Sequence, residues 1–286
     1  MVDLAIAYRI YPGVSKTPAV FANDKFRLST LCLQSFKRAL GPLKVKLWAI
    51  LDGCPSDYDN MFRSQFGEDE LEIICLNGVG NLATFSTQIE ILTKQTEANL
   101  VYFAEDDYFY LPDALVKMVD FIRTNPDVEF LTPYDHPDQY SLVGKERHHI
   151  RHSVGQHWRT SFSTCLTFLT TKAVLTRHQR HIRTYSRGNT DYSMWLALTQ
   201  KFSIFNPRVH SLSWYTVKLW LRTWYWGYKQ LLFDRTHQLW GPLPSLATHM
   251  EGTCLAPLID WQAEFSNAYD ESLEVSVHGV SKPETL

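Results

Sequence analysis

A chain of 286 residues, 45% of them hydrophobic and 20% charged, can bury a large core in one big α/β domain or two small ones. Its net charge of −2 offers nothing global for nucleic acid, and five singly placed cysteines without a CxxC pair point away from a disulfide framework or a zinc knuckle. The amino terminus runs straight into DLAIAYRIY without the pattern of a secretory signal, and no apolar run is long enough to span a bilayer, so a cytoplasmic protein is expected.

Strand and helix patterns alternate over the first hundred residues. LAIAYRIY (4–11), KVKLWAILD (44–52) and LEIICLN (71–77) read as strands rich in β-formers. Between them lies a helix from 25 to 40, whose Leu28, Leu31, Cys32, Phe36 and Ala39 share a face; another is expected over 82–97, with Phe85, Ile89 and Leu92 inward. This order predicts a parallel sheet with right-handed crossovers. Each strand ends in polar residues: Arg9, then Asp52 before Gly53, then NGVGN (77–81). That last loop has two glycines at a helix entry, where backbone N–H groups can meet phosphate, yet it is no Walker A loop and a plain tight turn explains it equally.

The densest chemistry lies in VYFAEDDYFYLPDAL (101–115). Val101, Tyr102, Phe103 and Ala104 read as a buried strand; Pro112 and Asp113 open a helix in which Leu115, Met118, Val119 and Ile122 recur at helical spacing. Glu105, Asp106 and Asp107 therefore stand at a strand's carboxyl end, the rim where open α/β sheets bind ligands. Three adjacent carboxylates repel one another. A divalent cation with oxygen ligands, Mg²⁺ or Mn²⁺, would neutralise them and bridge to phosphates.

Farther on, FLTPYDHPDQYS (130–141) reads as a strand and loop. KERHHIRHSVGQHWR (145–159) lacks the HExxH pattern; its cations suit a loop contacting phosphate or an anionic acceptor, or simply a solvated hairpin. TSFSTCLTFLTTKAVL (160–175) is β-rich and leads into a helix. In RGNTDYSMWLALTQ (187–200), Asp191, Met194, Trp195 and Leu198 fall on one helical face, with Asn189 or Thr190 as cap. Asp191 there favours the helix dipole and can also be poised as a general base. Residues 214–232 combine large aromatics with Lys218, Arg222 and Lys229, the pattern of an interfacial helix as well as of a core or lid. His249 sits in a polar, Gly-containing turn, and the tail after Tyr269 reads as loosely ordered.

Strand ends, acidic cluster and downstream Asp together resemble an inverting glycosyltransferase of the GT-A fold, close to family 2, over residues 3–200. AEDDYFYLPDAL departs from a strict DxD motif by having Glu first, and is similar to N-acetylglucosaminyltransferases that use Glu-Asp-Asp. The resemblance implies a Rossmann-like, mostly parallel central sheet flanked by helices, with a C-terminal helical, aromatic extension. It implies that Arg9, Asp52, Asn81, Glu105 and Asp106 hold a nucleotide sugar, UDP-linked by preference, that Asp107 binds Mn²⁺ or Mg²⁺ with His249 joining, and that Asp191 is the base. The acceptor would be a glycan, a lipid-linked molecule or a small molecule, with peripheral membrane contact through 214–232 left open.

On this reading residues 1–286 form one domain, with a nucleotide-binding half (1–125), an acceptor-side half (126–210), the extension (211–268) and the tail (269–286). Two other classes compete. A sugar nucleotidyltransferase would show a Gly-rich, basic phosphate signature near its start, of which LAIAYRIYPGVSKTP is a poor version. A non-catalytic carbohydrate-binding protein would use the acidic triplet for a structural metal.

Overall fold

The apolar runs over 4–10, 45–52 and 100–105 lie inside a sheet, where both faces are covered, whereas the run over 71–76 forms its half-exposed edge. The computed structural model describes residues 1–14, 16–141, 148–153, 155–199 and 214–278, apart from the side chains of 141 and 270–278. Its elements are β1 (Leu4–Ile10), α1 (Lys25–Ala39), β2 (Val45–Asp52), α2 (Asp57–Arg63), β3 (Leu71–Leu76), α3 (Asn81–Lys94), β4 (Leu100–Glu105), β5 (Tyr108–Tyr110), α4 (Ala114–Thr124), β6 (Phe130–Leu131) and α5 (Asp138–Ser141). They continue with β7 (Ile150–Ser153), β8 (Gln156–Ser161), β9 (Phe168–Thr171), α6 (Lys172–Ile182), a 3₁₀ turn (Tyr185–Arg187), α7 (Asp191–Thr199), α8 (Trp214–Phe233), β10 (Leu239–Leu243), β11 (Ala247–His249) and α9 (Trp261–His278).

Among the described residues, nine strands form one sheet in the order β3-β2-β1-β4-β9-β6-β10-β8-β7. Only β8 and β9 run against the other seven, so the expected mostly parallel sheet flanked by helices is present. The C-terminal segment does more than flank it, since β10 lies inside the sheet between β6 and β8. Side-chain alternation along β1 divides the core. Leu4, Ile6, Tyr8 and Ile10 join α1, α2 and α4 on one face, whereas Ala5 and Ala7 meet Phe85, Ile89 and Leu92 of α3 on the other. Each of those three α3 side chains is fully buried and contributes roughly 1.5–3 kcal/mol. Gln88, on the same helix, donates to the carbonyls of Ala7 and Ala104 and so ties α3 to both central strands.

Several boundaries differ from the pattern-based expectation, each for a local reason. α3 stops at Lys94 rather than 97 because Gln95 turns its side chain onto the backbone, accepting from the N–H groups of Glu97 and Ala98 at 2.7 and 3.0 Å. Pro112 and Asp113 form a turn, with Asp113 at φ +58°, and α4 begins only at Ala114. Strand β5 follows the acidic cluster and pairs with β11, setting His249 opposite Tyr108. The helix α9 runs past Tyr269 to His278, because Trp261, Phe265 and Ala268 repeat at helical spacing and bury, both aromatics against Phe109. Residues 279–286 of the expected loose tail lie outside the described residues.

Candidate active site

The carboxyl ends of β1, β2 and β4 converge on one rim, and the polar residues that interrupt their apolar runs meet there. Arg9 is the hub. Its guanidinium donates to the side chain and backbone carbonyl of Asn81 and pairs with Glu105, while its edge lies 5.6 Å from the Phe85 ring centroid. Glu105 uses its other oxygen to accept from Thr167 Oγ at 2.9 Å. It is thus fully engaged as a brace between strands. Asn81 completes the chain by donating from Nδ2 to the Tyr185 hydroxyl at 2.9 Å, which joins the first helix–strand units to the turn before α7.

Asp52 is 2% exposed, and its two oxygens accept from the backbone N–H groups of Val79 and Gly80 at 2.7 and 2.8 Å. Those are amides of the NGVGN loop; in this structure they serve Asp52 rather than standing open for phosphate. Gly80 adopts φ +86° and Gly78 φ +68°, the left-handed region that glycine occupies without strain, so the tight-turn reading of the loop holds.

The two aspartates of the triplet are treated differently. Asp106 pairs with Lys25 Nζ at 2.7 Å, with the side chains 10% and 13% exposed, and accepts from the Tyr11 N–H at 3.2 Å. Burial pushes its pKa upward, with Lys25 offsetting part of that and Asp107 adding to it. Asp107 is also opposed by burial, yet His249 and the nearby Lys25 and Arg9 bring it down to about 2. Its Oδ2 lies 3.2 Å from His249 Nε2, and its Oδ1 is buried without a hydrogen-bond partner among the described residues. Strand β11 supplies this contact: pairing with β5 carries His249 across, and the Met250 N–H fixes the Asp107 carbonyl at 2.8 Å.

His249 Nδ1 accepts from the Glu251 N–H at 3.1 Å, so the neutral ring carries its proton on Nε2 and donates it to Asp107. Asp107 draws the His249 pKa upward against burial; the Glu251 N–H, which needs the Nδ1 lone pair, resists a second proton. An unpartnered buried carboxylate oxygen beside an imidazole fits one hard or borderline divalent cation, provided His249 Nε2 gives up that proton. Beside the pair opens a cleft lined by Lys16, Lys25, Asp107, His249 and Glu251, with an empty volume of ≈ 270 Å³ including its open mouth.

Asp191 is the first residue of α7, and its Oδ1 accepts from the Tyr192 N–H at 2.7 Å. Burial raises its pKa, and the charge of Glu105 acts on it in the same direction. Arg9, Asp52, Asn81, Glu105, Asp106, Asp107 and His249 thus lie in or beside one rim, whereas Asp191 has no direct hydrogen bond or ion pair to them among the described residues. Pattern reading missed Lys25, Thr167 and Tyr185. Lys25 reads as an ordinary helix start, and Thr167 and Tyr185 reach the site from the chain's second half with no motif to mark them. The His/Arg-rich segment forms a hairpin at the far edge of the sheet, where Arg151 pairs with Asp127 and Arg159 with the buried Asp135; residues 142–147 lie outside the described residues.

No protein-family model and no curated protein matches this chain. Among solved structures it is similar to a protein of Desulfovibrio desulfuricans G20 described as a nucleotide-diphospho-sugar transferase, at 14% identity and a TM-score of 0.44 over 70% of this chain and 76% of that one. It is similar to the glycosyltransferase GlyE of Streptococcus pneumoniae TIGR4, at 11% identity and a TM-score of 0.41 over 69% of this chain and 43% of that one. A third likeness is to a CMP:2-keto-3-deoxy-manno-octonic acid synthetase complexed with CTP, at 12% identity and a TM-score of 0.40 over 68% and 84%. These likenesses are distant.

Proposed function

We propose that this chain is a metal-dependent glycosyltransferase that moves a sugar from a nucleotide diphosphate sugar, UDP-linked by preference, to an acceptor hydroxyl with inversion. The observation that carries the reading is the buried, unpartnered Oδ1 of Asp107 beside His249, at the strand rim and next to the Lys25 cation. Asp107 and His249 are the residues that would hold Mn²⁺ or Mg²⁺. When bound, such a cation supplies Lewis-acid stabilisation to the departing diphosphate.

The remaining chemistry belongs to the side chains. Lys25 and Lys16 line the cleft, paired with Asp106 and Glu251 at 2.7 Å each, and are the cations that a diphosphate would share with those carboxylates. Arg9, Asp52 and Asn81 hold the strand ends and the glycine loop in place on the nucleotide side, and Glu105 and Asp106 keep Arg9 and Lys25 oriented. Asp191, with its raised pKa, accepts the proton of the attacking hydroxyl. Direct displacement then inverts the anomeric centre.

The acceptor is a glycan, a lipid-linked molecule or a small molecule. A membrane acceptor gains support from α8, whose outward face carries Trp214, Tyr225 and Leu232 beside Lys218, Arg222 and Lys229 with no acidic residue on the helix. No helix among the described residues is long and apolar enough to cross a membrane, so this contact is peripheral.

A thermal-shift and calorimetric screen of UDP, GDP, CDP and TDP, with and without Mn²⁺, tests the proposal on wild type and Asp107→Asn. Metal-dependent stabilisation by a nucleoside diphosphate, lost in the variant, is the expected outcome. No response to any nucleotide would favour the carbohydrate-binding alternative. Release of pyrophosphate from a sugar phosphate and a nucleoside triphosphate would favour the nucleotidyltransferase.

A further inference from the structure

At the opposite edge of the sheet, by the amino ends of the strands, three potential metal ligands come together from separate elements. His178 projects from α6, Asp234 follows the last residue of α8, and His237 lies just before β10, whose Leu239 pairs with the first residue of β6. One ligand atom from each lies within 4.8 Å of the others. His178 Nδ1 and His237 Nε2 are each 3.5 Å from the same Asp234 oxygen, Oδ2. Ligand atoms on a tetrahedron with metal–ligand bonds of about 2.0–2.1 Å stand about 3.3–3.5 Å apart, which the two edges that meet at Asp234 already match.

The hydrogen bonds around it point the same way. His237 Nδ1 lies 2.6 Å from Glu129 Oε2, which fixes the ring proton on Nδ1 and leaves the Nε2 lone pair facing the cluster. His237 Nε2 and His178 Nε2 are both buried without a hydrogen-bond partner, on side chains only 1% and 2% exposed. Of the two, His237 Nε2 is the nitrogen that faces Asp234, and a buried nitrogen so orphaned is costly to leave unsatisfied; His178 turns its Nδ1 to the same carboxylate. A third element of the arrangement is the carboxylate–histidine pair itself, the usual support for a metal-bound imidazole. Asp234 is 34% exposed, which gives an entry path and room for a water as fourth ligand.

We infer that His178, Asp234 and His237 form a Zn²⁺ site, separate from the Asp107 rim, that fastens the carboxyl end of α8 to α6 and to the sheet. Two imidazole nitrogens and one carboxylate oxygen favour Zn²⁺ over Mg²⁺ or Ca²⁺, which take mostly oxygen. Glu129 acts as a positioning residue through His237, with Arg235 and Arg177 on its other oxygen at 2.8 and 3.2 Å.

The test is metal content and Co²⁺ spectroscopy on the full chain. Protein stripped with a chelator and then titrated with Zn²⁺ alone should take up about one equivalent tightly, in wild type and in Asp107→Asn alike. Titration with Co²⁺ should give the visible absorption of a four-coordinate nitrogen–oxygen site. His237→Gln and Asp234→Asn should lose that band, and Glu129→Gln should weaken Zn²⁺ affinity by about 10–100-fold while leaving the fold intact. The wild-type Co²⁺ spectrum needs no variant to fold. Its absence, or Zn²⁺ uptake that persists undiminished in Asp234→Asn, would overturn the site; loss of uptake in Asp107→Asn would place the metal at the rim instead.

Discussion

Asp107 and Asp191 are both carboxylates of the proposed site, yet their surroundings shift them in opposite directions. His249, Lys25 and Arg9 keep Asp107 ionised, whereas burial makes Asp191 reluctant to ionise. Asp107→Asn should cost about 100-fold or more in metal-dependent turnover, the equivalent of some 3 kcal/mol of transition-state stabilisation. Asp191→Asn should retain nucleotide and metal binding but lose about 10²–10⁴ in kcat. Full turnover by either variant sinks the corresponding assignment.

The raised Asp191 pKa also fixes the sign of a pH effect. Its folded-state pKa lies above the unfolded value of 3.8, so the fold binds this proton more tightly, and ionising the group as pH rises through the folded pKa removes stability. On the proposed mechanism that same ionisation creates the base. The acid limb of the kcat–pH profile should therefore lie above 3.8 and vanish from the residual activity of Asp191→Asn, which steady-state kinetics across pH would show. Lys25 offers a stability test. Replacing it by Met leaves Asp106 buried without its cation, and should cost about 3–5 kcal/mol in urea unfolding at neutral pH. A loss under about 1 kcal/mol would mean that the pair is solvated and no part of a built site.

Most of the rim was legible residue by residue, because strand ends can be read from where an apolar run stops. Arg9, Asp52 and the 105–107 triplet were found that way. Lys25 was not, since its partner Asp106 is 81 positions away and nothing local distinguishes a buried helix-start lysine from a solvated one.

Elements carry a second kind of information. Helix α8 is inverted relative to an ordinary surface helix: Thr223, Gly227 and Gln230 are its buried residues, while Trp214, Tyr225, Leu232 and Phe233 are exposed. Gly227 makes this possible, because a Cβ there would stand 2.5 Å from that of Ala197 on α7. Gly227→Ala gains up to about 1 kcal/mol of helix propensity but overpacks the α7–α8 contact by about 1–3 kcal/mol. Net destabilisation is expected in thermal or denaturant unfolding; a more stable variant would show that the helices separate without cost. Replacing Trp214, Tyr225 and Leu232 together by Ser should leave stability within about 0.5 kcal/mol, since all three are exposed, and abolish co-sedimentation with anionic vesicles. Binding that survives the triple change excludes α8 as the anchor. The sequence displayed the aromatics and cations of this helix but not which face turns outward, because that depends on α7. Strand β5 was hidden for a similar reason: three residues carry too little pattern, and only β11, far along the chain, makes them a strand.

At the scale of the whole molecule, the parallel order β3-β2-β1-β4 followed from alternating patterns, whereas the insertion of β9, and of β10 beyond β6, did not. Both inserted strands come from the second half of the chain, and their places are set by pairing partners rather than by local sequence. The same topology has a consequence for biosynthesis. Asp107 reaches His249 only through β11, so a nascent chain can build the first four strands and the Arg9 brace to Glu105 while the site still lacks a component. At the usual 5–20 residues per second, roughly ten seconds or more of translation separate the acidic triplet from its histidine. A chain stopped before that point carries Asp107 without its histidine, so the pair proposed to hold the cation is assembled only after residue 249 has been made.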